Sequence, residues 1–246
     1  MAKPNGAIIY RGPSEIDGKP IVVIATGLAK SSRNGKTGAL VQTWILREDI
    51  NPIAAANSGG DVSICGQCPH RGQVVNGKNV NRSCYVTLFQ APRNIWQSYH
   101  RGIYADHTKT ARKLLAGKKV RLGAYGDPAA VPTSVWKNAM ADTAGGTGYT
   151  HQWREMLELA AWCMASADSP QEAREAQANG FRTFRVATKY TSPEIGEILC
   201  PASEQAGRRT NCADCGLCSG KRAMAKNIVI PAHGSSAKIK AAHMNI

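Results

Sequence analysis

Seven of the eight cysteines in this 246-residue sequence fall into two sets whose spacing suits metal coordination, and no other feature constrains the fold as much. Cys65 and Cys68 form a C-x2-C pair in SICGQCPHRG, and Cys84 follows after fifteen intervening residues. Cys200 stands before a proline in EILCPAS, and eleven intervening residues lead to Cys212, Cys215 and Cys218 in NCADCGLCSG. A chain of this length buries a full core without disulfides or metals, so the clustered cysteines need another explanation. Cys163, alone in the apolar stretch LAAWCMAS, reads as a small buried hydrophobe.

The first residues, MAKPNGAIIYRG, show no basic stretch leading into an apolar one, and the longest apolar run, Leu159 to Ala165, is too short to cross a bilayer. The expectation is a cytoplasmic protein with no membrane partner, where thiols stay reduced and grouped cysteines bind metal or do redox chemistry. A C-x2-C-x2-C run plus a distant Cys-Pro suits an iron–sulfur cluster, because a 4Fe-4S cubane presents several irons to closely spaced thiolates. Zinc, which usually takes two separated pairs, is the alternative. Cys200, Cys212, Cys215 and Cys218 complete a coordination sphere, with Arg208, Arg209, Lys221 and Arg222 as candidate charge partners. Cys65, Cys68 and Cys84 would leave one iron of a four-iron cluster open, whereas zinc would need His70 or His100 as a fourth ligand.

Composition excludes wholesale disorder, since hydrophobic residues make up 43% and charged residues 20%. The formal net charge is +14, distributed as +3, +8, −3 and +6 over residues 1–60, 61–120, 121–180 and 181–246. The two most basic blocks contain the cysteine sets. Either the charge meets nucleic-acid phosphates, or it compensates gathered thiolates.

Pro20–Thr26 and Leu40–Leu46 read as a hairpin in a β-rich segment 1–60. Residues 61–199 then alternate short strands with helices: strands at 84–89, 118–127, 147–151, 162–169 and 181–188, with helices from Asn94, Pro132, Trp153 and Ser169. Ser169-Pro170-Gln171-Glu172 is a capping box with proline at the first helical position. Residues 200–246 form a cysteine-rich extension with a last strand at 227–234. This is an α/β pattern, and its roughly six units predict a partial (β/α) barrel with chemistry at the carboxyl ends of the strands. Asp127, Tyr149, His151 and Arg185 are the candidate catalytic residues expected at a common mouth, with Ser166, Asp168 and His233 also near that rim.

The segments CYVTLF, VRLGAYGDPAAVP, GYTHQW and ASADSPQEAREAQANGFRTFRV, followed by a cysteine-rich stretch closing on IVIPAHG, carry a likeness. Over roughly residues 60–236 they resemble the radical SAM-like phage proteins of the "gene product eighty-eight" type. The resemblance implies a bacteriophage protein acting in the bacterial host cytoplasm, with a degenerate radical SAM barrel. It also implies a 4Fe-4S cluster on three cysteines, here Cys65, Cys68 and Cys84, with S-adenosylmethionine chelating the open iron. The family's CxxxCxxC loop is replaced here by a CxxC pair and a later cysteine. The four-cysteine set resembles the auxiliary-cluster extension that follows many such barrels. Together these features predict an iron–sulfur protein doing redox or radical chemistry on a nucleotide or nucleic acid. The alternatives are a non-enzymatic nucleic-acid-binding phage protein with structural zinc or iron–sulfur sites, and a host-directed interaction protein whose barrel has lost its chemistry.

Overall fold

Apolar, β-branched runs near the amino terminus form a meander in the computed structural model, which describes residues 5–32, 34–188, 192–221 and 225–245. β1 (Gly6–Pro13) pairs antiparallel with β2 (Pro20–Thr26), and β2 with β3 (Val41–Arg47). Ile21 to Ala25 are wholly buried on both faces of β2, which explains why that strand reads as a continuous apolar run.

Two short helices follow, α1 (Pro52–Ser58) and α2 (Val62–Cys65), then a hairpin of β4 (Gln73–Val75) and β5 (Lys78–Val80). Its turn is Asn76-Gly77, both at positive φ, the geometry that Asn-Gly adopts most readily. α3 (Ala91–His100), β6 (Ala105–Asp106) and α4 (Ala111–Leu115) come next, with β6 parallel to β1.

From there the chain builds parallel pairings. The elements are β7 (Val120–Tyr125), α5 (Thr133–Met140), β8 (Gly146–Thr147), β9 (Tyr149–Thr150), β10 (Met164–Ala167) and α6 (Pro170–Ala178). They continue through β11 (Thr183–Ala187), β12 (Glu197–Leu199), α7 (Cys212–Cys215), β13 (Asn227–Pro231) and α8 (Ser236–Asn245). One sheet runs β6-β1-β2-β3-β7-β8 and the other β12-β13-β11-β10-β9. Every neighbour from β3 to β8, and every neighbour in the second sheet, is parallel. Only Gly148 separates β8 from β9, so one extended stretch borders both sheets. A side chain there would meet the Cys163 sulfur at 2.6 Å and the Trp162 carbonyl at 3.2 Å.

The fold is therefore mixed α/β with parallel sheets, and the hydrogen-bond pairing gives two open sheets and no closed barrel. β3 pairs with β7 and β12 with β13, so the sheets run continuously past the boundaries expected near residues 60 and 199. The expected strand at 84–89 does not form. Both edges of β3 are taken by β2 and β7, and the alternation of CYVTLF is satisfied another way: Val86 and Leu88 lie against the core while Tyr85 and Phe89 face solvent. The helix expected from Trp153 shrinks to one 3-10 turn, Leu157–Ala161, with the buried Trp153 indole donating to the Ser166 carbonyl. No described helix is long and apolar enough to cross a membrane.

The Ser169 cap forms as expected at α6, where its hydroxyl accepts from Glu172 N at 3.1 Å, while the Glu172 carboxylate reaches back to Asp168 N, one residue before the cap. Ser169→Ala should lower stability by about 1 kcal/mol, read as a denaturant midpoint shift at unchanged slope.

Candidate metal centre

The carboxyl ends of β7, β9 and β10 deliver Asp127, His151 and Asp168 to one region, and the segment between β3 and β7 folds over them. Asp127 N donates to the Ile64 carbonyl at 2.6 Å, and Gln152 Nε2 donates to the Cys65 carbonyl at 3.2 Å. Cys65 closes α2, Cys68 precedes a 3-10 turn at Pro69–Arg71, and Cys84 N donates to the His70 carbonyl at 3.0 Å. Buried Asp61 braces this loop by accepting from Arg71 Nη2 at 2.7 Å and from Arg82 Nη1 at 3.4 Å. Burial pushes the Cys65 thiol well up, and negative charge on Asp61, Cys68 and Cys84 adds to the shift, so the three cysteines lie within electrostatic reach.

The second set assembles beside β13 and β9. Cys200 N donates to Val229 O, and α7 is capped by the Asn211 side chain, which accepts from Asp214 N. Cys212 N donates to Lys36 O and Lys119 Nζ to Ala213 O, which ties α7 to the amino-terminal half of the chain. Burial pushes the Cys218 thiol up to about 12, with a hydrogen bond from Tyr149 opposing and the charges of Cys200, Cys212 and Cys215 reinforcing. Burial likewise raises Cys200 and Cys212. Such thiols shed their protons when metal binds, which couples loading to pH.

Both sets hold buried donors with no partner among the described residues. Beside Cys65 and Cys84 these are Arg82 Nε and Nη2 and the Tyr125 hydroxyl, and beside Cys212 it is Arg121 Nε. Orphaned buried donors are costly, so those beside the thiols fit an anionic group held by the cysteines.

No protein-family model, curated protein or solved structure matches this chain.

The four candidate catalytic residues do not share one mouth. Asp127 is buried, with Oδ1 accepting from Ala129 N and Oδ2 from His151 N, so it caps the turn after β7 and positions a neighbour. Arg185 is locked in a buried pair with Glu197, at 2.9 and 2.6 Å. Tyr149 stacks edge-on against Phe184 and bonds to Cys218, in the second cysteine set. His151 alone joins a polar centre, and its partners are His70 and Asp168. His70 Nε2 lies 3.0 Å from Asp168 Oδ1 and His70 Nδ1 lies 2.7 Å from Ser83 Oγ. His151 Nε2 lies 3.3 Å from Asp168 Oδ2.

Burial would raise the Asp168 carboxyl, yet His151 and His70 hold it far below the usual range. Burial opposes charge on His151, but Cys68 and Asp168 outweigh it and raise that imidazole well above its ordinary value. A cleft of about 540 Å³ opens here, lined in part by His151, Gln152, Arg154, Asp168 and Glu172.

His100 is not a ligand to the first set, because its Nε2 meets the Glu48 carbonyl and its ring lies on Trp96. Arg208, Arg209 and Lys221 are exposed, and Arg222 lies outside the described residues; Arg121 and Lys36 stand near the second set instead. Spacing also gave no notice of Ser83, Asp61 and Arg82. Their one sequence signal was polar or charged character within four positions of Cys65 or Cys84.

Proposed function

We propose that this chain is an iron–sulfur protein with two four-iron clusters. One is closed on Cys200, Cys212, Cys215 and Cys218; the other is held by Cys65, Cys68 and Cys84 with one iron free of protein thiolate. The observation that carries this reading is the placing of buried, unpartnered Arg82, Tyr125 and Arg121 donors against the two cysteine sets. The thiols of each set also lie close enough to interact electrostatically, as gathered cluster ligands would.

The strand order supports a partial (β/α) barrel similar to that of radical SAM enzymes, since β3, β7, β8–β9, β10, β11 and β13 follow one another in parallel across Gly148. The first cysteine set follows β3, the first strand of that series, at its carboxyl end. When bound, the open iron supplies one-electron chemistry, and the resemblance makes S-adenosylmethionine its ligand and a nucleotide or nucleic acid the substrate. The protein holds the thiolates, offsets their charge and excludes water. Phage origin and work in a host cytoplasm belong to the same reading. Binding nucleic acid through net charge alone is the weaker function, because Arg71, Arg82, Arg182 and Arg185 turn inward to carboxylates and carbonyls.

The test is anaerobic purification with visible absorption and metal analysis. A brown protein with about eight irons per chain is expected, four for each cubane, and Cys212→Ala should leave about four. A colourless zinc protein, or an unchanged iron count in Cys212→Ala, refutes the assignment.

A further inference from the structure

We propose that His70, His151 and Asp168 form a binding site, adjoining Cys68, for one divalent first-row transition-metal ion, with open coordination positions facing the cleft. Among the described residues they are the one group of three potential ligands whose donor atoms all lie within 4.8 Å of one another. The three come from different parts of the fold: His70 from the loop after β3, His151 from the end of β9 and Asp168 from the end of β10. Two imidazoles and a carboxylate on one side of an ion make the facial arrangement that suits Fe(II), Mn(II) or a similar ion and leaves positions for substrate or water.

Two imidazole nitrogens converge on one carboxylate: His151 Nε2 stands 3.3 Å from Asp168 Oδ2 and His70 Nε2 3.0 Å from Asp168 Oδ1. In the metal-free chain protons link this buried array, and a cation would take their place, since two neutral imidazoles and a carboxylate are a donor set that a cation satisfies.

The surrounding contacts are those that orient metal ligands. Ser83 Oγ engages His70 at the ring nitrogen turned away from Asp168. Asp127 holds the His151 backbone at 2.8 Å, and Glu172 Oε2 accepts from Asp168 N at 2.8 Å. The ring centroids of His70 and His151 lie 5.6 Å apart at 68°, so both edges can address one point without stacking. His151 and Asp168 also line the cleft, which gives the open positions access to a small molecule.

Mn(II) is the probe that separates this site from the thiolates, because it favours nitrogen and oxygen over sulfur. Electron paramagnetic resonance of the anaerobically purified protein titrated with Mn(II) should show about one bound ion per chain. Asp168→Asn and His70→Ala should abolish that binding, while His100→Ala retains it. Ser83→Ala, which removes only an orienting contact, should weaken affinity by roughly 10–100-fold. Iron content and circular dichroism of each variant establish that it has folded. Absence of bound Mn(II) in the wild type, or equal binding by Asp168→Asn, overturns the site. Iron analysis on the same samples reports the cysteine clusters independently, so the two assignments fail separately.

Discussion

Asp61→Asn is expected to remove about 3–5 kcal/mol of stability and, with the two clusters proposed above, to empty the first cysteine set while the second keeps its iron. Asp61 is 1% exposed and is the shared acceptor for Arg71 and Arg82. Arg71 also reaches the carbonyls of Gly59 and Gly66, so one carboxylate organises the turns on both sides of α2. The neutral amide leaves two guanidinium groups uncompensated in a region where Arg82 already has unpartnered nitrogens. The loop that spaces Cys65, Cys68 and Cys84 then loses its brace. Denaturant unfolding followed by circular dichroism measures the first effect, and an iron count falling from about eight to about four per chain measures the second. Full iron with a stability loss under about 0.5 kcal/mol would contradict the role given to Asp61.

Breaking the Arg185–Glu197 pair should cost a similar amount without touching metal content. Both side chains are nearly inaccessible, at 6% and 3%, and the pair joins β11 to β12 across β13. Arg185→Met strands the Glu197 carboxylate and should destabilise by about 3–5 kcal/mol, whereas the double change to methionine at 185 and 197 should recover most of that loss. The pH dependence follows from the direction of the shift. Burial pushes the Glu197 carboxyl up, but hydrogen bonds from Arg185 and from Glu194 N pull it below its ordinary value. Its contribution is therefore complete above the unfolded glutamate pKa of about 4.3 and is lost as pH falls through the lower folded value. The stability gap between wild type and Arg185→Met should narrow below about pH 4. A gap that widens in acid would contradict this account.

Much of the framework was legible because its signals are local. The apolar run Pro20–Thr26 and the Ser169-Pro170-Gln171-Glu172 start signal each specify structure within a few residues, and β2 and α6 form as read. The stretch 84–89 misled because alternation reports a one-sided face, while a strand also needs a free neighbouring edge, and β3 has none. The candidate site divides along the same line. Cysteine spacing separated the two sets, and Cys163 proved to be the buried hydrophobe its context suggested. His70 and Asp168 are 98 positions apart, and no local pattern announces their contact. Arg185 and Asp127 were read as exposed rim chemistry because a strand end looks alike whether its polar residue faces a ligand or neutralises a buried partner.

The stretch that borders both sheets has a consequence for electrons. Tyr149 touches Cys218, and two positions further on His151 touches Cys68. Adjacent α-carbons are about 3.8 Å apart, so the backbone positions behind these contacts are separated by about 7 Å. With iron in both sets, charge arriving at the carboxyl-terminal cluster has a short, largely covalent route to the cluster beside the cleft. The same few residues that border both sheets would then also join the two proposed clusters.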